Sequence, residues 1–481
     1  MKVTGVARAI AAVAAAIGLV VAAGAANGTV RATRPADVPT IPALSAAQIQ
    51  SQVICPGPDR PGSAAPDAKQ QVGVAVAAAP AQLVQTATTG GSVTGQRLPG
   101  SAGSAPSPVT AAGAVVSTTL TGAGAMLETG SGALAAGLTG TQSSLEKSAT
   151  VRGLTTLACP STPTTEAWLF AGGSDPGRVV RVVLTNPNNT AVVARLQVVG
   201  RSGLDATASV PAVTVPAKSR SVVTLGAFPA ALATAAIRVT TAGGPLAVAA
   251  SDSWSKGETP VGLELSGPAA APATAIVIPA VGVVGSAPVV RVAVPGTRPA
   301  IVRVQAIDAN GAVAADQVAT VAAQSSDEIT LKDVPDGVYE FRVSADQPLT
   351  AAAFTASKTS DFAWAPATAA INDSSAFVVP ALPSGSQATL LLGAGRAASV
   401  ELTSVDTSGA ATTRTVTVAA DRPTVVPLTL GGGVWLKVTS GAVNAGVFLR
   451  SPDASGDVIA ATGLGRVLLQ PNGVDVTETP R

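Results

Sequence analysis

Val302-Arg303-Val304-Gln305-Ala306-Ile307-Asp308, closed by Gly311, has two counterparts elsewhere in the chain. They are Ala194-Arg195-Leu196-Gln197-Val198-Val199-Gly200 with Gly203, and Val400-Glu401-Leu402-Thr403-Ser404-Val405-Asp406 with Gly409. Apolar and polar residues alternate along each copy, so each reads as a strand with one face buried. About a dozen residues later a second signature recurs: Thr214-Val215-Pro216-Ala217, Thr320-Val321-Ala322-Ala323 and Thr417-Val418-Ala419-Ala420. Each unit then closes with two strands. Ile237-Arg238-Val239 leads into Leu246–Ala250, Phe341-Arg342-Val343 into Leu349–Phe354, and Leu436-Lys437-Val438 into Val443–Phe448. A unit recurring at roughly one hundred residues is a domain and not a solenoid rung. Six or seven short strands per unit predict an all-β chain of tandem immunoglobulin-like sandwiches. A β-propeller built from the repeats is the alternative.

The repeats divide the chain at residues 163–266, 275–366 and 375–476. Residues 31–162 form an N-terminal region with a degenerate β repeat, carried by Val72–Ala79 and Met126–Gly137. It is interrupted by a low-complexity insertion over Thr86–Pro108. Residues 1–30 read as a targeting segment: Lys2 and Arg8 precede an uncharged hydrophobic run over Ala9–Ala26, and Ala23-Gly24-Ala25 offers a cleavage site. The run is long enough for either a cleaved signal peptide or a retained helical anchor. In both cases the rest of the chain is placed outside the plasma membrane.

Composition narrows the function classes. Apolar residues make up 47% and aromatics only 2%, so Val and Ala must fill the cores. Lys and Arg number 30 against 28 Asp and Glu, which leaves no electrostatic footprint for nucleic acid. Histidine is absent. This removes the commonest general base, the Ser-His and Cys-His pairs and His-based metal sites. No Gly-x-Ser-x-Gly elbow or phosphate loop is present. The sequence predicts no enzyme, no cofactor and no metal.

Cys55 and Cys159 are the only cysteines. In an exported chain the pair predicts one disulfide, with free thiols or a lipid anchor as the alternatives. Asp308-x-x-Gly311 and Asp406-x-x-Gly409 read as turns, in which Asp accepts local backbone hydrogen bonds and Gly supplies a positive φ. Trp254 and Trp364 follow Ser251-Asp252 and Ser360-Asp361. They either plug domain junctions or stack on a ligand. Arg238, Arg342 and Lys437 occupy what reads as one position in three repeats and form a candidate basic row for surface contact.

Several motifs together resemble a family of uncharacterised, exported actinobacterial envelope proteins. They are Cys55-Pro56-Gly57-Pro58, Cys159-Pro160, Glu166-Ala167-Trp168-Leu169-Phe170-Ala171-Gly172-Gly173 and Val183-Leu184-Thr185-Asn186-Pro187. The resemblance covers most of the chain after residue 45 and implies no catalytic residues. The expected function is that of structural or binding modules presented outside the plasma membrane. Envelope glycan or a membrane protein is the expected partner. An accessory scaffold of a membrane glycan-processing complex and a carboxylate-only hydrolase of envelope polymers are the alternatives.

Overall fold

Along Val192–Gly200 the side chains of Val192, Ala194, Leu196 and Val198 are buried, while Arg195 between them is exposed. The same two-residue period builds the whole architecture. In the computed structural model the described residues are 50–469 apart from 60–70, 85–89, 101–108, 227–228, 230–231 and 359–360. The hydrophobic run Ala9–Ala26 and the whole of residues 1–30 lie outside them. Among the described residues there are strands and short 3-10 turns but no α-helix.

The strands form four sandwich modules with one topology. In the second module the eight strands are Glu166–Phe170, Arg178–Asn186, Val192–Gly200, Gly203–Val215, Ser219–Gly226, Ala236–Ala242, Ala247–Lys256 and Thr259–Ser266. Counted in that order, one sheet runs fourth–third–sixth–first and the other fifth–second–seventh–eighth, with every pair antiparallel. The fourth module, from Ser374 to Gly463, repeats this order. So does the third, from Ala273 to Pro366, where the sixth and seventh strands are fused into Gly337–Ala356, which passes from one sheet to the other. The first module, from Gln50 to Ala158, keeps the order without a fourth strand among the described residues. An isolated bridge between Val93 and Val109 stands in its place. The second and fourth modules thus have eight strands, more than the six or seven read from the sequence, and the third has seven because two are fused.

Turn chemistry fixes the strand ends. Buried Asn186 donates through Nδ2 to the carbonyls of Thr190 (2.8 Å), Val215 (3.0 Å) and Pro216 (3.0 Å), and its Oδ1 accepts from Asn188 N at 2.9 Å. Asp308 Oδ1 accepts from the N–H groups of Asn310 and Ala312, both at 2.8 Å, with Gly311 at φ 85°. Asp406 does the same for Ser408 and Ala410, with Gly409 at φ 85°. The cores are dominated by Val, Ala and Leu. One cluster runs without a break from Trp168 and Phe170 of the second module, through the third, to Phe448, Ile459 and Ala461 of the fourth.

The four modules close into a ring. Their last strands, Arg152–Ala158, Thr259–Ser266, Phe362–Pro366 and Val458–Gly463, lie against one another in cyclic order around a common axis. Polar contacts link the first module to the second through Arg220 Nη1, which donates to Pro56 O at 2.6 Å. Arg291 Nη1 reaches from the third module to Ala171 O (3.1 Å) and Ala235 O (2.9 Å) of the second. Arg342 pairs with Asp421 between the third and fourth modules. The ring closes from the fourth back to the first: Trp435 Nε1 donates to Gly137 O at 2.9 Å, and Gly137 N to Leu468 O at 2.7 Å. The units are therefore sandwiches and not single-sheet blades, yet they are arranged cyclically as blades would be.

Candidate functional site at the ring axis

Asp361 sits where the four closing strands meet, 2% exposed. It precedes the last strand of the third module, and its carboxylate accepts backbone N–H groups from all three others. Leu154 N lies at 2.9 Å, Ile459 N at 3.0 Å and Leu263 N at 3.2 Å. Ser357 Oγ holds the Asp361 backbone N–H at 3.0 Å. Burial pushes the Asp361 carboxyl well above its usual range, against the pull of these donors. Only glycine fits beside it. A Cβ on Gly153 would lie 2.6 Å from Leu263 N, and one on Gly262 would lie 2.8 Å from Asp361 Oδ1. Glu264, fully buried in the second module's last strand, accepts Leu265 N at 2.8 Å through Oε1. Burial raises its pKa well above the ordinary carboxylate range, and the charge of Asp361 adds to the rise. Neither carboxyl lines the two clefts described below. Both belong to the joint between modules.

A second charged joint lies between the second and third modules. Arg178 forms a two-pronged bond with Asp252, at 2.9 Å through Nε and 2.7 Å through Nη2. Trp364 Nε1 and Gly172 N also donate to Asp252, at 2.9 Å and 2.7 Å. Burial would raise the Asp252 carboxyl, but the Arg178 guanidinium outweighs it and holds the carboxyl below its usual range. Arg178 lies against the rings of Trp254, Phe354 and Phe362 at 5.1–5.4 Å.

At one end of the axis the chain leaves all four closing strands and surrounds a cleft of about 280 Å³. The first module contributes the segment around Cys159-Pro160, the second Gly267-Pro268-Ala269-Ala270, the third Ala367–Ile371 and the fourth Thr462–Val467. Each segment also bonds back to its own module's first strand, as in Ala269 N to Trp168 O (2.9 Å) and Thr368 N to Val277 O (2.9 Å). In the first module this junction carries the disulfide between Cys55 and Cys159, with Cα atoms 4.8 Å apart. A neighbouring pocket of about 380 Å³ is lined by Lys437, Arg466, Asp373 and Asn372, with Leu83, Leu468 and Leu469.

The candidate residues from the sequence are scattered over the modules. Trp364 is 1% exposed and sealed at the junction with the second module, so it offers no surface for contact. Trp254 is half-buried at the same junction. The basic row does not exist as an open patch. Arg238 pairs with Glu166, Arg342 with Glu340 and Asp421, and Lys437 with Glu401. Nor is it one position. Arg238 lies opposite Gln197 and Arg342 opposite Gln305, each three residues before the turn, but Trp435 is the residue opposite the matching Thr403. Lys437 is displaced by two residues, and this shift brings it to the pocket shared with Arg466. The hub residues Asp361 and Glu264, and the pair Arg178–Asp252, were missed. Their signal was a charged residue inside an otherwise apolar closing strand or hairpin of a chain with only 12% charged residues.

With this geometry in view, comparison with known proteins adds the following. A model for a family of unknown function, DUF5719, matches residues 114–429, and the chain belongs to that family. Among curated proteins no match is found. The crystal structure of a tetra-tandem repeat in the extending region of a large adhesion protein aligns over 87% of this chain and 99% of that one, at 14% identity and a TM-score of 0.11. A likeness at that score carries no argument.

Proposed function

We propose that this member of the DUF5719 family is a non-catalytic binding component of the bacterial cell envelope, displayed outside the plasma membrane, whose ligand site is the axial cleft. The observation that carries this reading is the convergence of one equivalent segment from each of the four modules on a single cleft. A disulfide linking residues 104 apart supports an oxidising compartment. The rival, a hydrolase of envelope polymers, needs two carboxyls facing one substrate cleft. The pair brought together at the axis, Asp361 and Glu264, is enclosed by the closing strands instead.

Co-sedimentation with purified bacterial envelope tests the reading. Wild-type protein is expected to sediment with the envelope, and Ala369→Trp, which fills the exposed mouth of the cleft, is expected to stay in the supernatant. Equal sedimentation of the two proteins, or none by either, contradicts it.

A further inference from the structure

The cleft at the axis and the pocket beside it differ in chemistry but meet at one lining residue, Arg466. We infer that together they form one site for a single-chain amphiphile with an anionic head, of the fatty-acid type, with the acyl chain in the cleft and the carboxylate between Lys437 and Arg466. This rests on the reading of the cleft as the ligand site and names the class of ligand.

The cleft is lined mainly by Ala, Pro and aliphatic side chains. Much of its polar inventory is already spent. Thr368 O accepts from Asn444 Nδ2 at 2.8 Å, Ala270 O from Thr350 Oγ1 at 2.7 Å and Arg466 O from Ser161 Oγ at 3.1 Å. Thr462 Oγ1 accepts from Ala158 N at 3.2 Å. A sugar entering such a site would lose water without gaining partners, whereas an alkyl chain loses nothing. The volume, about 280 Å³, is at the small end of ligand pockets, which start at roughly 300 Å³. That suits a short apolar chain better than a polymer.

Arg466 lines both spaces and, among the described residues, is the only charged one around the cleft. It bridges to Ser375, and Lys437 pairs with the adjacent Ser374, so one strand of the fourth module separates the two cations. Both carry light ion pairs. Arg466 meets Asp373 through Nε, and among the described residues no hydrogen bond engages its terminal nitrogens. Lys437 meets Glu401 at 3.3 Å, both side chains being substantially exposed. Exposed pairs of this kind hold weakly, and the free fork of a guanidinium matches a carboxylate. Leu468, half exposed, stands beside the cations with Leu83 and Leu469 and extends the apolar surface toward the head.

The test is calorimetric titration of the disulfide-intact protein with decanoate below its micelle concentration, beside decanol, decyltrimethylammonium and acetate. Decanoate is expected to bind at one per chain and the other three at least tenfold more weakly. The double variant Lys437→Gln/Arg466→Gln should weaken decanoate tenfold or more and leave decanol unchanged. Ala369→Trp should abolish decanoate binding. Ala370→Leu, also at an exposed wall position, serves as a second cleft-filling variant, and thermal midpoints verify that each variant is folded. Decanol or the cationic amphiphile binding as tightly as decanoate overturns the anionic head. Acetate binding equally well, or decanoate unaffected by either cleft variant, overturns the acyl site. Absence of any decanoate binding overturns the inference as a whole. If the wild type still sediments with envelope while decanoate fails, the functional reading stands and only the ligand class falls.

Discussion

Asp361 shows how one side chain can hold four domains. Its carboxylate satisfies N–H groups of three foreign strands, so replacement by Ala would strand at least three buried donors at about 1–3 kcal/mol each. Asp361→Ala is therefore expected to lose roughly 3 kcal/mol or more in denaturant unfolding. A loss under 1 kcal/mol would show that the hub is not a joint. Glu128, in the first module, is also raised by burial. Among the described residues its Oε1 has no partner, and burial raises its pKa to about 7. Because the folded pKa lies above the unfolded one, the folded state holds the proton longer. Stability is full below about pH 4.5 and declines as pH rises toward 7, by up to about 3 kcal/mol. Glu128→Gln should remove this decline, making the variant more stable than wild type at pH 8 and nearly equal to it at pH 4. Melting curves across that range decide it; parallel pH profiles for the two proteins would contradict the assignment.

The closing strands need small residues where they cross. Gly153 has no room for a Cβ beside Leu263, nor Gly262 beside Phe362, whose Cδ1 would lie 2.5 Å away. Gly153→Ala is expected to lower the melting temperature by several degrees, while Gly296→Ala, with nothing within 4 Å, should be neutral within about 0.5 kcal/mol. Equal effects would mean the crossing is not tight. At this scale the sequence was most readable. The alternation in Ala194–Gly200 and its counterparts gave the strands and their inward faces, and Asp308 and Asp406 gave the turns. Register was less readable. Lys437 looked equivalent to Arg342, but it pairs with Glu401 and not with Thr403, the residue that matches Gln305, and the aromatic Trp435 takes the place of the cation. Leu-Lys-Val and Phe-Arg-Val are alike in composition, so the motif matched two residues out of step.

Across the whole molecule the sandwich class was legible and the ring was not. Ring closure rests on residues such as Ala158 and Thr462, which are 304 positions apart and leave no periodic trace. The hub was equally hidden, because Asp361 lies outside its neighbours' repeats in sequence and joins them only in space. The disulfide ties strand one of the first module to the segment at the cleft, across 104 residues. Replacing both cysteines by Ser should cost about 2–4 kcal/mol, read as a lower unfolding midpoint; an unchanged midpoint would place the first module's stability elsewhere. The four sandwiches close on themselves, and small-angle X-ray scattering of the chain from residue 46 onward tests this closure. A closed ring predicts a radius of gyration near 22 Å, about that of a compact body of this length. A value roughly twice as large, with the pair-distance tail of modules strung in a line, would contradict it.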